Sequence, residues 1–570
     1  MTPPFGNFRA LASFVLASSL CWLFPAATGC RDHPQKPDDR PAASTANPPG
    51  NTYQNRAAQA EGPQQQDASI PGNFSPQEVI RFDSSLIPLF IRRFPVFGPL
   101  QKDLQRFYAG RSYAYAWYDK KGVIEQADNL FNRVMNITDE GIPDKIPYKD
   151  TLAALMNEFT GPPENSPGDT RITGNGYTEK ELMLTAQYFN YAGLAWQGLP
   201  ENKTRSMNWF LPRKRLDLPA LMDSLLRDTS SALIRYGYSY RQYNLLRSYL
   251  KKYRELETPG NWPSFSSARK SYKPGDTAGS IRTIRDRLFL LGDLAGNSGS
   301  TLYDPDLEEG VKNYQERTGM KTDGILGPAT LRDINTPLTD RIRQLIVNME
   351  RYRWVPVSLN DDYLIVNIPA FHLFAFQKDS LIFTMKAVVG RDVHETVIFN
   401  GNLKYIVFSP YWNIPTGILK KEVLPAIKRD PAYLKKHNME WNGQTIRQKP
   451  GSGNPLGSVK FLFPNSHDIY LHDTPAKGLF EETDRAFSHG CIRLAEAEKL
   501  ALYLLRDEPQ WSAEKISAAM KKGREQYVTL KKQVPVFIAY FTAWVDRNGK
   551  LNLRKDLYKR DARLAALVAN

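Results

Sequence analysis

Apolar positions along the chain change rhythm several times, and each change predicts a different element. Arg9 is followed by an uncharged apolar stretch, Ala10–Gly29. Residues 31–73 then run through Pro, Gln, Asn, Ala and Ser with one aromatic, Tyr53. Such a composition buries too little apolar surface to fold, and a flexible coil of about 43 residues spans roughly 35–40 Å. From Ser75 to about Tyr272 apolar residues recur every three or four positions, as at Leu218, Leu221 and Leu225 and at Tyr243, Leu246 and Leu250, which predicts helices. The Gly, Pro, Asn and Asp of Gly161–Gly176 predict a loop. A second helical group spans Asp276 to Pro337. Ile281, Ile284, Leu288 and Leu291 form one face, and Val311 and Tyr314 another. Gly324, Gly327 and Pro328 there predict a tight turn and then a helix start.

Arg341–Arg351 reads as a connecting helix, and from Tyr352 the pattern becomes that of strands. Tyr363–Ile368, Leu381–Val389, Tyr405–Phe408, Val459–Phe463, Asp468–Leu471 and Val536–Trp544 are rich in β-branched and aromatic residues. Trp412–Pro455 interrupts them as an insertion, with Leu419–His437 predicted helical. A helix is expected over Leu494–Arg506, a turn at Asp546–Gly549 and a charged helical tail to Asn570.

With 570 residues the chain exceeds one core. The expected fold class is multidomain α+β. The expected divisions are a signal segment at 1–29, a tether at 30–73, a helical scaffold at 74–273, a small helical module at 274–337 and a connecting helix at 338–351. A mainly β domain at 352–545, with an inserted lobe at 412–455, and a tail at 546–570 complete the chain.

A formal charge of +15 and a pI of about 9.4 suit a polyanionic partner such as nucleic acid, anionic lipid or wall polymer. No zinc-finger spacing, P-loop or RNA-binding signature is present, so nucleic acid is not the expected partner. The N-terminal stretch has the anatomy of a secretory signal. It ends Ala27-Thr28-Gly29-Cys30, and small residues before a Cys resemble a bacterial lipoprotein cleavage site, with Cys30 as the lipidated residue. An uncleaved membrane anchor or a freed soluble chain are the alternatives. All three export the rest of the chain.

Cys21 lies in the signal and Cys30 at its end, which leaves Cys491 as the one thiol of the folded part. A lone thiol in an oxidising compartment is either buried or used. Its neighbours favour use: His472-Asp473-Thr474, then Arg485-Ala486-Phe487-Ser488-His489-Gly490-Cys491-Ile492-Arg493-Leu494. Two histidines offer a Cys/His pair. A helix starting just after Cys491 would favour its thiolate, and N–H groups around it could bind an oxyanion. Gly490 allows close approach. Zinc ligation by the same residues is the competing chemistry, although the spacing fits no structural finger. Tyr113, Tyr115, Trp117 and Tyr118 read as core, with a glycan groove as the alternative.

His472, a gap of fifteen residues, then Ser488-His489-Gly490-Cys491-Ile492-Arg493 resembles the signature of the L,D-transpeptidase catalytic domain, also called the YkuD domain. Residues 274–337, through the run Thr322–Thr330, resemble a three-helix peptidoglycan-binding module. The whole layout resembles the long YcbB-like branch. The resemblance implies that Cys491 attacks the amide between the third-position diamino acid and the fourth-position D-Ala of a stem peptide. His472 is the implied base, oriented through the main chain of Asp473. Ser488, His489 and Gly490 shape the site, Arg493 binds a substrate carboxylate, the insertion Trp412–Pro455 is the implied substrate-capping subdomain, and Trp412 and Tyr470 are candidate contacts. The implied product is a 3→3 cross-link, the implied partners are peptidoglycan stems and glycan, and the location is the periplasm of a diderm bacterium, tethered to a membrane. No metal or organic cofactor is required. The remaining histidines, His33, His372, His394, His437 and His467, read as structural or solvated.

The motif leaves the acceptor open. Water would make a carboxypeptidase or a protein-releasing hydrolase, and a lipoprotein lysine would make an anchoring enzyme. A non-catalytic wall-binding lipoprotein is the reading from another class.

Overall fold

The computed structural model describes residues 80–569 except 120, 159, 162–174, 206, 212, 214, 228–240, 258–261, 263, 268, 356–361 and 379. The signal segment, Cys30, His33 and the tether lie outside the described residues, as does most of the Gly161–Gly176 loop. Among the described residues no helix is long and apolar enough to cross a membrane.

Helices Leu86–Arg93, Gln101–Gly110, Glu125–Met135, Lys149–Glu158, Asn175–Ala192 and Leu218–Arg227 share one core containing Leu104, Leu130, Leu152 and Met183. Tyr115, Trp117 and Tyr118 belong to that core and line no groove, while Tyr113 is half-buried with its ring 5.9 Å from Phe82. The buried carboxylate of Glu181 accepts from the Ala116 N–H at 2.6 Å and the Trp117 N–H at 3.1 Å, which ties this aromatic segment to the long helix. The next helix, Arg241–Leu256, turns Tyr243, Leu246, Leu250 and Tyr253 into a different core, that of the β region. Helix Leu338–Trp354 packs on it and is longer than the connector expected from sequence.

Between these two lies a three-helix module, Gly279–Leu291, Pro305–Arg317 and Pro328–Ile334, around Ile281, Ile284, Leu288, Val311 and Tyr314. Pro305 and Pro328 stand in first turns, where a missing N–H costs nothing. The module docks through Arg317, which pairs with Asp293 at 2.5 Å and donates to the Leu551 carbonyl at 3.3 Å.

The β region contains β1 (Tyr363–Asn367), β2 (His372–Gln377), β3 (Ser380–Gly390), β4 (Ile398–Phe408), β5 (Val459–Leu462), β6 (Leu471–His472), β7 (Ala486–Ser488), β8 (Ile492–Leu494) and β9 (Gln526–Ala539). Their hydrogen-bonded order is β5-β6-β8-β3-β2-β1-β9-β4. Because β4 also pairs with β5, Phe408 opposite Val459, the ladder closes on itself and no edge is left open along this path. β6–β8 and β1–β9 are parallel. Leu364, Val366, Leu373, Ala375, Val536 and Ile538 alternate into the buried core.

The insertion leaves after Phe408 and returns at Val459, the two residues that pair across β4 and β5. It builds its own three-stranded sheet from Trp412–Asn413, Thr445–Gln448 and Met439–Asn442, over a small core of Ile414, Leu419, Val423 and Ile446. The helix expected over Leu419–His437 instead runs Thr416–Arg429, with a π turn at Leu419–Val423, and resumes at Tyr433–Lys436. Pro431 removes a donor where the break falls.

The tail at 546–570 is not an appendage. Ala543–Val545 pairs with Leu551–Leu553 around the Asp546–Gly549 turn, and helix Arg560–Ala569 packs against Leu338–Trp354. Leu551, Leu553, Tyr558 and Leu564 are buried in the core of the β region.

Candidate active site

Two short parallel strands build the site. In β6 and β8, Leu471 lies opposite Ile492 and His472 opposite Arg493, and the Ile492 N–H donates to the Tyr470 carbonyl at 3.1 Å. Side chains alternate along a strand, so Leu471 and Ile492 enter the core. Tyr470, His472, Cys491 and Arg493 then share the opposite face. The structure thus brings four of the sequence-derived candidates together.

The helix expected from Leu494, with Cys491 at its N-terminus, does not start there. Residues Ile492–Leu494 are strand β8, and the helix runs only from Ala497 to Leu504. The β6 and β3 ladders flank this segment on both sides, and their pairing overrides local helix preference. Cys491 therefore gains no field from a helix terminus. Burial pushes its thiol up, against smaller opposing effects from Tyr470 hydrogen bonding and the Arg493 charge. The resting nucleophile is a thiol, and its S–H donates to the Asp468 carbonyl at 3.6 Å. Asp468 adopts a left-handed φ of 54°, in a turn that Asn465 organises by donating to the Phe463 and Ile469 carbonyls at 2.6 and 2.8 Å.

His472 is buried, and its Nδ1 lies 2.5 Å from the Asp473 carbonyl. A carbonyl only accepts, so the ring proton is on Nδ1 and Nε2 carries the lone pair of a base. Burial lowers the imidazole to about 4, with the Asp473 hydrogen bond pulling the other way, so the ring is neutral at pH 7. The Asp473 carboxylate faces elsewhere. It accepts from Lys477 Nζ at 2.7 Å and from the Ser458 N–H at 2.9 Å, where the inserted lobe rejoins the barrel.

The loop before Cys491 is tied from within. Ser488 Oγ donates to the Cys491 carbonyl at 2.6 Å and accepts from the Gly490 N–H at 3.1 Å. Gly490 has a φ of 119°, a conformation that a side chain would strain. Among the described residues the N–H groups of His489 and Cys491 have no internal acceptor. They remain available for an anionic oxygen.

Arg493 makes no ion pair among the described residues, and its buried Nε has no hydrogen-bond partner. Burial lowers its pKa, and an incoming carboxylate would satisfy it. The Tyr470 ring lies 5.7 Å from that of His472. His489 is exposed at the rim. Arg391 donates to its Nε2 at 3.2 Å, and the exposed His394 ring lies 4.9 Å away, tilted by 35°, so His394 stands at the same rim. Burial, Arg391 and His394 lower the His489 pKa, while Glu422 of the inserted lobe opposes them, which sets the lobe near this rim. Trp412 belongs to the lobe, half-buried against its core, and not to the β6–β8 face. Elsewhere His372 Nδ1 donates to the Ala370 carbonyl at 2.7 Å, His437 stacks on Tyr433 at 3.9 Å and His467 packs on Phe399 at 4.9 Å.

Sequence reasoning missed Asp468, Arg391, Thr396 and Tyr558. The run Asn465-Ser466-His467-Asp468 carries a turn signal that would have located the first. The others are brought in by tertiary contact alone.

Three stretches of the chain match known domain families. Residues 361–523 match the L,D-transpeptidase catalytic domain YkuD, residues 102–250 a scaffold domain, and residues 277–333 the "Putative peptidoglycan binding domain". The chain thus carries a scaffold, a peptidoglycan-binding domain and a YkuD L,D-transpeptidase domain, in that order. A curated relative from Haemophilus influenzae named "Putative L,D-transpeptidase" is 30% identical over 243 residues, 39% of this chain and 49% of the relative. The chain therefore spans about half the length of that relative. Among solved structures, an L,D-transpeptidase from Stackebrandtia nassauensis is 12% identical, with 48% of this chain and 97% of that one covered and a TM-score of 0.22. One from Mycobacterium smegmatis is 13% identical, with 31% and 58% covered and a TM-score of 0.19.

Proposed function

We propose that the protein is a peptidoglycan L,D-transpeptidase that forms 3→3 cross-links through a thioester on Cys491. The observation that carries this reading is the shared face of Tyr470, His472, Cys491 and Arg493, with the Nδ1 proton of His472 committed to Asp473.

Cys491 Sγ adds to the carbonyl between the diamino acid and the D-Ala of a tetrapeptide stem, and its proton passes to His472 Nε2. The N–H groups of Cys491 and His489 receive the developing oxyanion. The C–N bond breaks, and His472 returns the proton to the departing D-Ala nitrogen. The side-chain amine of a second stem then adds to the thioester carbonyl and gives a proton to His472. The C–S bond breaks, and the sulfur regains that proton. Neither half-reaction needs a metal or organic cofactor. Arg493 holds a stem carboxylate, and Tyr470 lines the donor site. The lobe near His489 limits water, which favours attack by an amine over hydrolysis. Carbapenem β-lactams are expected to acylate the same thiol.

The N-terminal signal and Cys30 support an exported lipoprotein of a diderm envelope, with its body in the periplasm and the tether reaching toward the wall.

The test is mass spectrometry of products from a disaccharide-tetrapeptide mixed with the chain lacking residues 1–73, wild type beside Cys491→Ala. A dimer that has lost one D-Ala, absent from the variant, is the expected result. Tripeptide without dimer would mean a carboxypeptidase. Substrate bound but unchanged by both proteins would mean a wall-binding protein without catalysis.

A further inference from the structure

The C-terminal segment beyond residue 523, outside the stretch that matches the catalytic domain, reaches the nucleophile loop through a short chain of hydrogen bonds. Tyr558 is buried, and its hydroxyl donates to the Gly390 carbonyl at 2.5 Å and accepts from the Thr396 N–H at 3.3 Å. Thr396, wholly buried, accepts at Oγ1 from the Gly390 N–H at 2.9 Å. That bond occupies the hydroxyl oxygen and leaves its proton for the Gly490 carbonyl, also at 2.9 Å. Gly390 must be glycine for this to form, since a Cβ there would collide with the His394 carbonyl and the Thr396 nitrogen.

The Gly490 carbonyl and the Cys491 N–H belong to one peptide unit. In a planar trans peptide the two point in opposite directions. Fixing the carbonyl on Thr396 therefore fixes the direction of the Cys491 N–H, which has no internal acceptor among the described residues. Tyr558 is itself braced. Its N–H donates to Tyr540 Oη at 2.7 Å, and the Tyr540 hydroxyl donates to Asp556 at 2.6 Å. Arg560 then pairs with Glu395 at 2.5 Å, beside Thr396.

We propose that Tyr558 is a positioning residue for acyl transfer, which acts through Thr396 to aim the Cys491 N–H at the oxyanion. The proposal rests on the reading of Cys491 as the acylated nucleophile and extends it to the C-terminal segment.

The test uses the full chain and its variants Tyr558→Phe, Thr396→Val and Thr396→Ser, with the tetrapeptide stem and a carbapenem as acyl donors and iodoacetamide as a control. Alkylation needs the thiol but no oxyanion donor. Acylation is expected to fall about 10-fold in Tyr558→Phe and about 100-fold in Thr396→Val, toward the loss seen when an oxyanion donor is removed. KM should hold, alkylation should stay within about two-fold of wild type, and Thr396→Ser should recover most of the rate. The double variant Tyr558→Phe/Thr396→Val should be no slower than Thr396→Val alone, because one path is cut twice. Equal falls in acylation and alkylation, or acylation unchanged in Tyr558→Phe, would overturn the proposal. Should Tyr558→Phe fail to fold, the contrast between Thr396→Ser and Thr396→Val decides it. A wild type acylated by neither donor would overturn the transpeptidase reading and this one together, whereas an acylated wild type with indifferent variants overturns this one alone.

Discussion

His472 and Cys491 each hold their proton in the structure, and in the proposed reaction transfer begins only when substrate makes it favourable. Burial raises the thiol and lowers the imidazole, so both groups are neutral at pH 7. Alkylation of Cys491 by iodoacetamide is accordingly expected to be slow at pH 7 and to rise steeply as pH passes that of an ordinary thiol. Fast, pH-independent alkylation would mean a preformed ion pair. Replacing the base, His472→Gln, should lower acylation by roughly 10²–10⁴-fold, as read in single-turnover kinetics. The imidazole also makes a pH prediction with a definite sign. Its folded pKa of about 4 lies below the 6.5 of the unfolded residue. Between those values the unfolded chain binds more protons, so stability falls as pH falls, by on the order of 3 kcal/mol across the interval. Denaturant melts at pH 7 and pH 4 should show this loss, and His472→Gln should lack it.

At this scale the sequence made Cys491 and His472 legible because rare residue types stand at a fixed spacing. The contact of His472 with the Asp473 carbonyl was legible by resemblance, and the bond of the Asp473 carboxylate to the Ser458 N–H was not. Thr396 and Tyr558 left no trace in local sequence. Thr396 is 94 residues from Gly490 and Tyr558 is 162 residues from Thr396, and no local pattern encodes such contacts.

The elements were read best where periodicity was strong and unopposed. Helices Arg241–Leu256, Gly279–Leu291 and Pro305–Arg317 carry clean apolar stripes, and the turn at Asp546–Gly549 has its glycine. The failures are short strands whose existence depends on neighbours, and the long β9, expected over Val536–Trp544, which instead runs Gln526–Ala539 while Ala543–Val545 pairs separately with Leu551–Leu553. β2, β7 and β8 gave no usable signal of their own, and β8 borrows its structure from β6 and β3. The same dependence explains the misplaced helix after Cys491. The inserted lobe behaves differently, since it has its own small core. Ile446→Ala, at a fully buried site there, should cost about 2–5 kcal/mol. The loss should appear as faster hydrogen exchange within 412–455, with β4 and β9 protected as before. Equal exposure of barrel strands would show that lobe and barrel unfold as one.

At the scale of the whole molecule the described parts are joined by buried polar links rather than strung along a linker. Arg353 donates to the Ala195 carbonyl at 3.1 Å and pairs with Glu350 at 2.6 Å, and Glu350 pairs in turn with the Leu199 N–H at 2.5 Å. These bonds lock the scaffold to the helix that supports the barrel. The tail closes the same core. A chain ending at Val545 would lose Leu551, Leu553, Tyr558 and Leu564, each worth roughly 1.5–3 kcal/mol when buried. That sum rivals the ~5–15 kcal/mol that holds a typical domain folded, so calorimetry of this truncation should show no cooperative transition for the β region. Domain order was legible from the succession of helical and strand rhythms. The joining of tail, scaffold and barrel into shared cores was not, because it depends on which surfaces meet.

The most direct measurement is the intact mass of the chain lacking residues 1–73, quenched within seconds of mixing with disaccharide-tetrapeptide and then mapped by peptide. A hydroxylamine-labile adduct is expected on Cys491, equal in mass to the disaccharide-tripeptide acyl group, with one D-Ala released per adduct and no adduct in Cys491→Ala. Cross-linked product formed without any adduct on Cys491, or an adduct on another residue, would contradict it.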